Sequence, residues 1–142
     1  MGRAYQSKCY CTNLRRSAGA ISDYYDGALR CVGLTASQYN LLMNLSRLKR
    51  ANITRWAERV GLERSTMVRN IRALAERGWI EEVPEGHGRQ FALSAQGEAV
   101  LASAIPHWAA AQSELEAFLG AEDADAILRI GEKLQGLEAK SK

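Results

Sequence analysis

The chain has 142 residues, 46% of them hydrophobic and 25% charged, which suits one soluble domain with a substantial core. No apolar run approaches the ~20 residues of a membrane span, and the N-terminus lacks the charged-then-apolar pattern of a secretory signal. A cytoplasmic protein with no membrane partner is therefore expected, and the net charge of +3 is too small to specify a partner by itself.

Cys9 to Val32 carries Cys11, Leu14, Ala18, Ile21, Tyr25 and Leu29 near helical spacing, and Gly33 closes that first helix. Thr35 or Ser37 then caps a second helix with Tyr39, Leu42, Leu45 and Leu48 facing inward. Ile53 to Val60 forms a third, with Trp56 and Val60 toward the core and Thr54, Arg55 and Arg59 turned outward. The Val60-Gly61-Leu62 turn leads into a fourth helix over Glu63 to Gly78, giving a helix-turn-helix unit. On its wheel Met67, Val68, Ile71, Leu74 and Ala75 share one side. Ser65, Thr66, Arg69, Asn70, Arg72 and Ala73 lie on or beside the other. That outer set is short, hydrogen-bonding or cationic, which is what base edges and phosphates require.

Trp79–Val83 and Gln90–Leu93 are short strand-like runs around the turn Pro84-Glu85-Gly86-His87-Gly88-Arg89, a hairpin pattern. Helix, turn, helix and hairpin together predict a winged helix, in a fold that is mainly α with a small β-hairpin wing. Ser94 is placed to cap a long helix from Ala95 to about Leu119, and Pro106 within it is expected to kink or split it. Glu122 to Leu137 forms the last helix, opened by acids that suit the positive end of its dipole.

Charge is unevenly placed. Residues 47–89 hold ten Lys/Arg against six acids, a net of +4, whereas residues 98–142 hold four against eight, a net of −4. A protein facing a polyphosphate shows such asymmetry. Val100, Leu101, Ile105, Trp108, Leu115, Phe118, Leu119, Ile127, Leu128, Ile130 and Leu134 exceed what one small winged helix must cover. A homodimer interface is the favoured use of this surplus over a compact monomer. One short helix reads too few base pairs alone, and a two-fold pair on a pseudo-palindromic operator corrects that. The rival from another class is a winged-helix protein-interaction module that does not bind DNA. It calls for apolar or acidic residues on the outer side of the fourth helix, where this chain has neither. No phosphate loop, Ser/His/Asp pattern or isolated carboxylate pair suggests an enzyme or a cofactor.

The chain resembles the MarR-type winged-helix transcription regulators from about Cys9 to Leu137. The resemblance rests on Gly33-Leu34-Thr35-Ala36-Ser37-Gln38-Tyr39, Leu62-Glu63-Arg64-Ser65-Thr66-Met67-Val68-Arg69, Leu74-Ala75-Glu76-Arg77-Gly78-Trp79-Ile80 and Leu93-Ser94-Ala95-Gln96-Gly97. It implies a dimer, paired through helices in 1–34 and 95–142, around a DNA-binding winged helix over 35–94. It also implies a repressor rather than an activator, released by a small phenolic or lipophilic effector. Thr54, Arg55, Arg64, Ser65, Thr66, Arg69, Asn70 and Arg72 are the candidate contacts to DNA from the helices. The family's wing carries an Asp-x-Arg element whose arginine enters the minor groove. Counted back from Leu93 without gaps, Glu85 falls on the acid and His87 on the arginine. With a hairpin two residues shorter, Arg89 takes the arginine's place and His87 the acid's. The second alignment is preferred, because arginine best suits a narrow negative groove.

Tyr25, Tyr39, Met43 and Trp56 are candidates to line an effector cavity between the first, second and fifth helices, with core packing as the plain alternative. A hydroperoxide-sensing branch of the family carries a reactive cysteine that Cys11 matches, with Tyr25 on one of its tyrosine partners. Arg15 and Ala36 stand at two other tyrosine places. A thiol-based repressor acting through Cys11 is thus the alternative gating scheme, with Arg15 favouring the thiolate, against plain packing of Cys11. Cys9 and Cys11, two apart on a helix, are expected to project to opposite sides, and Cys31 is read as structural. His87 and His107 fall in separate elements, so no zinc-like spacing is present.

Overall fold

The computed structural model describes residues 7–84 and 88–140, with side chains described to residue 137. The helices are α1 (Tyr10–Leu29), α2 (Ala36–Leu48), α3 (Ile53–Val60), α4 (Arg64–Glu76), α5 (Ala95–Leu119) and α6 (Ala121–Lys140). A 3-10 turn (Arg30–Val32) follows α1, and the strands β1 (Ile80–Val83) and β2 (Gln90–Leu93) stand between α4 and α5. The core gathers around α2, whose Tyr39, Leu41, Leu42 and Leu45 are buried against Leu29, Trp56, Met67, Leu74, Phe91 and Leu101 from five other elements. Thr35, not Ser37, caps α2. Its hydroxyl accepts from the Gln38 N–H and the Gln38 side chain returns to the Thr35 N–H, a reciprocal capping box. The Asp26 carboxylate of α1 also accepts from the Ala36 N–H at 2.7 Å, so α1 is tied to the start of α2.

β1 and β2 pair antiparallel, with Ile80 opposite Leu93 and Val83 opposite Gln90. Ala51, in the loop before α3, adds a bridge to Phe91 through two backbone hydrogen bonds of 3.0 and 2.9 Å. The hairpin is thereby fixed to the entry of the helix-turn-helix unit. Ser94, the one buried polar residue described, joins hairpin to helix. Its N–H donates to the Trp79 carbonyl, its hydroxyl donates to the Gly78 carbonyl, and its oxygen accepts from the Gly97 N–H that opens α5.

Three expectations are corrected. Pro106 does not split α5, which runs unbroken from Ala95 to Leu119. Burial of Leu101 and Ala104 before the proline and Ala111 after it anchors both halves. On α4 the buried stripe is narrower than the wheel suggests. Met67, Ile71 and Leu74 are buried, while Val68 is 41% exposed and Ala75 is exposed. Finally, α1 begins at Tyr10, so Cys9 is its N-cap in extended conformation and helix geometry does not govern the Cys9–Cys11 pair.

Candidate nucleic-acid interface

The placement of α4 follows from the short helix before it. Asn52 caps α3 by accepting from the Arg55 N–H at 2.8 Å. Gly61 ends it at φ +73°, a left-handed conformation that costs a residue with a Cβ about 1 kcal/mol or more. Between those ends Trp56 is fully buried, its indole N–H donating to the Leu41 carbonyl at 3.1 Å. With α3 locked to α2 in this way, burial of Met67, Ile71 and Leu74 sets the rotation of α4 about its axis.

That rotation turns the candidate side chains outward. Arg64, Ser65, Arg69 and Arg72 are exposed on α4, and Thr54 and Arg55 are exposed on α3. Thr66 and Asn70 are half-buried. Arg64 Nη1 donates to Thr54 Oγ1 at 3.2 Å, linking the two helices, and the Asn70 amide donates back to the Thr66 carbonyl at 3.0 Å. Arg59, also outward, donates to Asn44 of α2 at 3.2 Å. The side chains of Arg55, Arg69 and Arg72 have no partner among the described residues. A phosphate or base edge can meet them without breaking an internal contact.

On the hairpin, Arg89 lies beside β2, paired with Glu82 of β1 and 5.4 Å from the centre of the Phe91 ring. The pair uses Glu82, an acid that sequence reasoning passed over, because strand register brings it across. His87 lies outside the described residues. Val68 and Ala75, expected in the core, instead line with Ile53, Ile71 and Phe91 a groove of about 600 Å³ between α4 and the hairpin.

The four residues expected to line an effector cavity stand in different settings. Trp56 is sealed in the core, Tyr39 is buried and stacked on Trp108 at 5.7 Å between ring centres, and Met43 packs against the core. Burial raises the Tyr39 phenol above its usual range. Tyr25 also stacks on Trp108, at 6.2 Å between ring centres, and its hydroxyl bonds to Gln112. It lines a separate cavity of about 490 Å³ between α1, α5 and α6, with Ile21, Leu115, Glu116, Leu119 and Leu128. Partial burial, with the nearby Glu116 charge, raises the Tyr25 phenol. Tyr24, in a neighbouring cavity with Phe118, bonds to Glu114, which raises its phenol in turn.

All three cysteines are free and exposed, so neither packing of Cys11 nor a structural role for Cys31 is what the protomer shows. Arg15 Nη2 lies 3.5 Å from Cys11 Sγ, one helical turn on, as its spacing implies. Hydrogen bonds from the side chain and backbone of Thr12 hold the Cys9 thiol below its usual range. Among the described residues no three His, Cys, Asp or Glu side chains are grouped to hold a metal ion. No described helix is long and apolar enough to cross a membrane.

A helix-turn-helix unit fixed to a two-stranded hairpin, with a cationic outer helix face, defines a winged-helix protein. The family model described as the HVO_A0261 N-terminal domain matches residues 30–121. Among solved structures, the M. tuberculosis transcriptional regulator MosR in complex with DNA is 30% identical, at a TM-score of 0.78. The match covers 92% of this chain and 98% of that one. The transcriptional repressor CouR bound to p-coumaroyl-CoA is 25% identical, with 90% of this chain and 92% of that one covered and a TM-score of 0.80. A mutant MarR from E. coli complexed with operator DNA is 15% identical over 87% of this chain and 91% of that one, at 0.79, and shares the fold. No curated protein matches the chain in sequence. The chain belongs to the MarR family of winged-helix transcriptional regulators.

Proposed function

We propose that the protein is a homodimeric, sequence-specific DNA-binding regulator that represses transcription and releases its operator on binding a small effector. Residues 35–94 read DNA, and the helices within 1–34 and 95–142 pair the subunits. The observation that carries this reading is the outer face of α4, where Ser65, Arg69 and Arg72 are exposed and both arginines lack a partner among the described residues. Ser65, Thr66, Arg69 and Asn70 meet base edges in the major groove. Arg64 and Arg72 serve base edges or phosphates, Thr54 and Arg55 the backbone, and Arg89, with His87, the minor groove. The DNA complex of MosR, at 30% identity, supports the partner. The p-coumaroyl-CoA complex of CouR supports an effector that is phenolic or lipophilic, and the cavity beside Tyr25 is the candidate seat for it.

Arg69→Ala is the decisive variant. Against an operator selected from random DNA, it lowers affinity by about 1–3 kcal/mol and relaxes the preference at one base position. Equal loss on random and selected DNA moves Arg69 to the phosphate backbone. Wild-type affinity that does not fall as salt is raised rejects DNA binding altogether and favours a protein-interaction module.

Gating by Cys11 is the second reading, favoured by its exposure and by the guanidinium of Arg15 beside it. Organic hydroperoxide then releases DNA from the wild type and not from Cys11→Ser. Release that survives the substitution eliminates this scheme.

A further inference from the structure

Cys31 and His107 are 76 positions apart, yet the fold brings them together on the surface. Cys31 Sγ lies 3.6 Å from both Nδ1 and Nε2 of His107, and its remaining polar neighbour is the Ala28 carbonyl at 3.7 Å. Cys31 sits on the 3-10 turn after α1 and His107 on α5, so two separately anchored elements hold the pair. His107 is also fixed from behind, because the next residue, Trp108, stacks on both Tyr25 and Tyr39. The other exposed thiols have different company. Cys11 has the guanidinium of Arg15, which carries a fixed charge and exchanges no proton near neutral pH. Cys9 has hydrogen bonds from Thr12. Those bonds come from a hydroxyl and a backbone N–H, neither of which takes up a proton near neutral pH. Among the described residues no third ligand stands by to make a metal site of the pair.

We propose that Cys31 is a covalent modification site for α,β-unsaturated carbonyl compounds, with His107 as its base. The exposed imidazole turns one ring nitrogen to the thiol and takes the Cys31 proton, and a sulfur lone pair forms an S–C bond to the β-carbon. The C=C π pair shifts toward the carbonyl, and the α-carbon then recovers the proton from the imidazolium. The sum is a neutral addition that needs no oxidant. The adduct stands at the surface where the turn after α1 meets α5.

N-ethylmaleimide, itself an α,β-unsaturated carbonyl, is the probe. Full-length protein is reacted for short times at limiting reagent, and the rate at each cysteine is read from peptide masses. Cys31 is expected to label faster than Cys9 and Cys11. His107→Gln keeps an exposed polar side chain at that place, and thermal unfolding checks that it folds. It slows Cys31 by roughly tenfold or more, the low end of general-base assistance, and leaves Cys9 and Cys11 unchanged. Three results each overturn the proposal: equal rates at the three thiols, a Cys31 that resists labelling in the native protein, or a Cys31 rate indifferent to His107→Gln.

Discussion

Gly97 shows how a single position can decide whether the wing meets α5 at all. A Cβ built there lies 1.9 Å from the Trp79 carbonyl oxygen and 2.9 Å from its carbon, and both are backbone atoms that cannot swing aside. The same carbonyl accepts from the Ser94 N–H, and Ser94 caps α5 through Gly97. Gly97→Ala therefore has to part hairpin from helix. It is expected to destabilise the fold by about 3 kcal/mol or more, read as a lower midpoint in urea unfolding. Ser94→Ala, which removes the cap and leaves the space, is expected to cost about 1–2 kcal/mol. Equal, small effects from the two would contradict the close approach. The Leu93-Ser94-Ala95-Gln96-Gly97 segment was legible in the sequence as a helix start, whereas the need for glycine was not, since it is set by Trp79, eighteen positions earlier. Trp56 was open between a cavity wall and the core for a related reason, since its aromatic character suits both, and its full burial with the hydrogen bond to Leu41 decides for the core.

The elements themselves were well marked, because α2, α3 and α5 carry local capping signals, although α1 and α4 start at Cys9 and Glu63 with no side-chain cap. Thr35 with Gln38, Asn52, Gly61 and Ser94 are caps that act within four residues, and they stand at the observed ends. Periodicity was less informative where two elements share a helix face. Val68 and Ala75 fit the apolar side of the wheel, but the hairpin meets α4 along one edge and leaves them in a groove. Strand pairing was also hidden, and with it the most consequential contact of the wing. Arg89 is offered for the minor groove, yet in the free chain it is paired with Glu82. Both side chains are more than half exposed, at 69% and 51%, so the pair contributes little to stability. It competes with phosphate for the same guanidinium all the same. Glu82→Gln is expected to tighten DNA binding about two- to fivefold, within the worth of an exposed ion pair, and Arg89→Ala to weaken it. Anisotropy titrations at low salt measure both. If Glu82→Gln tightens binding in an Arg89→Ala background as well, the acid acts through its own repulsion of DNA and not through Arg89.

Across the molecule, apolar surface and charge divide along the chain. The basic segment 47–89 faces outward from α3 and α4, while the acidic helices α5 and α6 carry large side chains that nothing in the protomer covers. Phe118 is 86% exposed and Leu128 is 73% exposed, and Ile127, Ile130, Leu134 and Leu137 continue the surface along α6. No described side chain of α6 is among the buried core. A helix of that composition, only partly covered by its own protomer, would gain packing from a second copy. Phe118→Glu with Leu137→Glu tests this at two exposed positions away from the cavity beside Tyr25. Sedimentation is expected to move from dimer to monomer while the far-UV spectrum keeps its helical form. Affinity for a two-half-site operator should fall about a hundredfold or more, since each subunit then binds alone, whereas affinity for an isolated half-site should stay within about twofold. A wild-type chain that sediments as a monomer at micromolar concentration, or a double variant that stays paired, would instead leave the exposed face of α5 and α6 to a different partner.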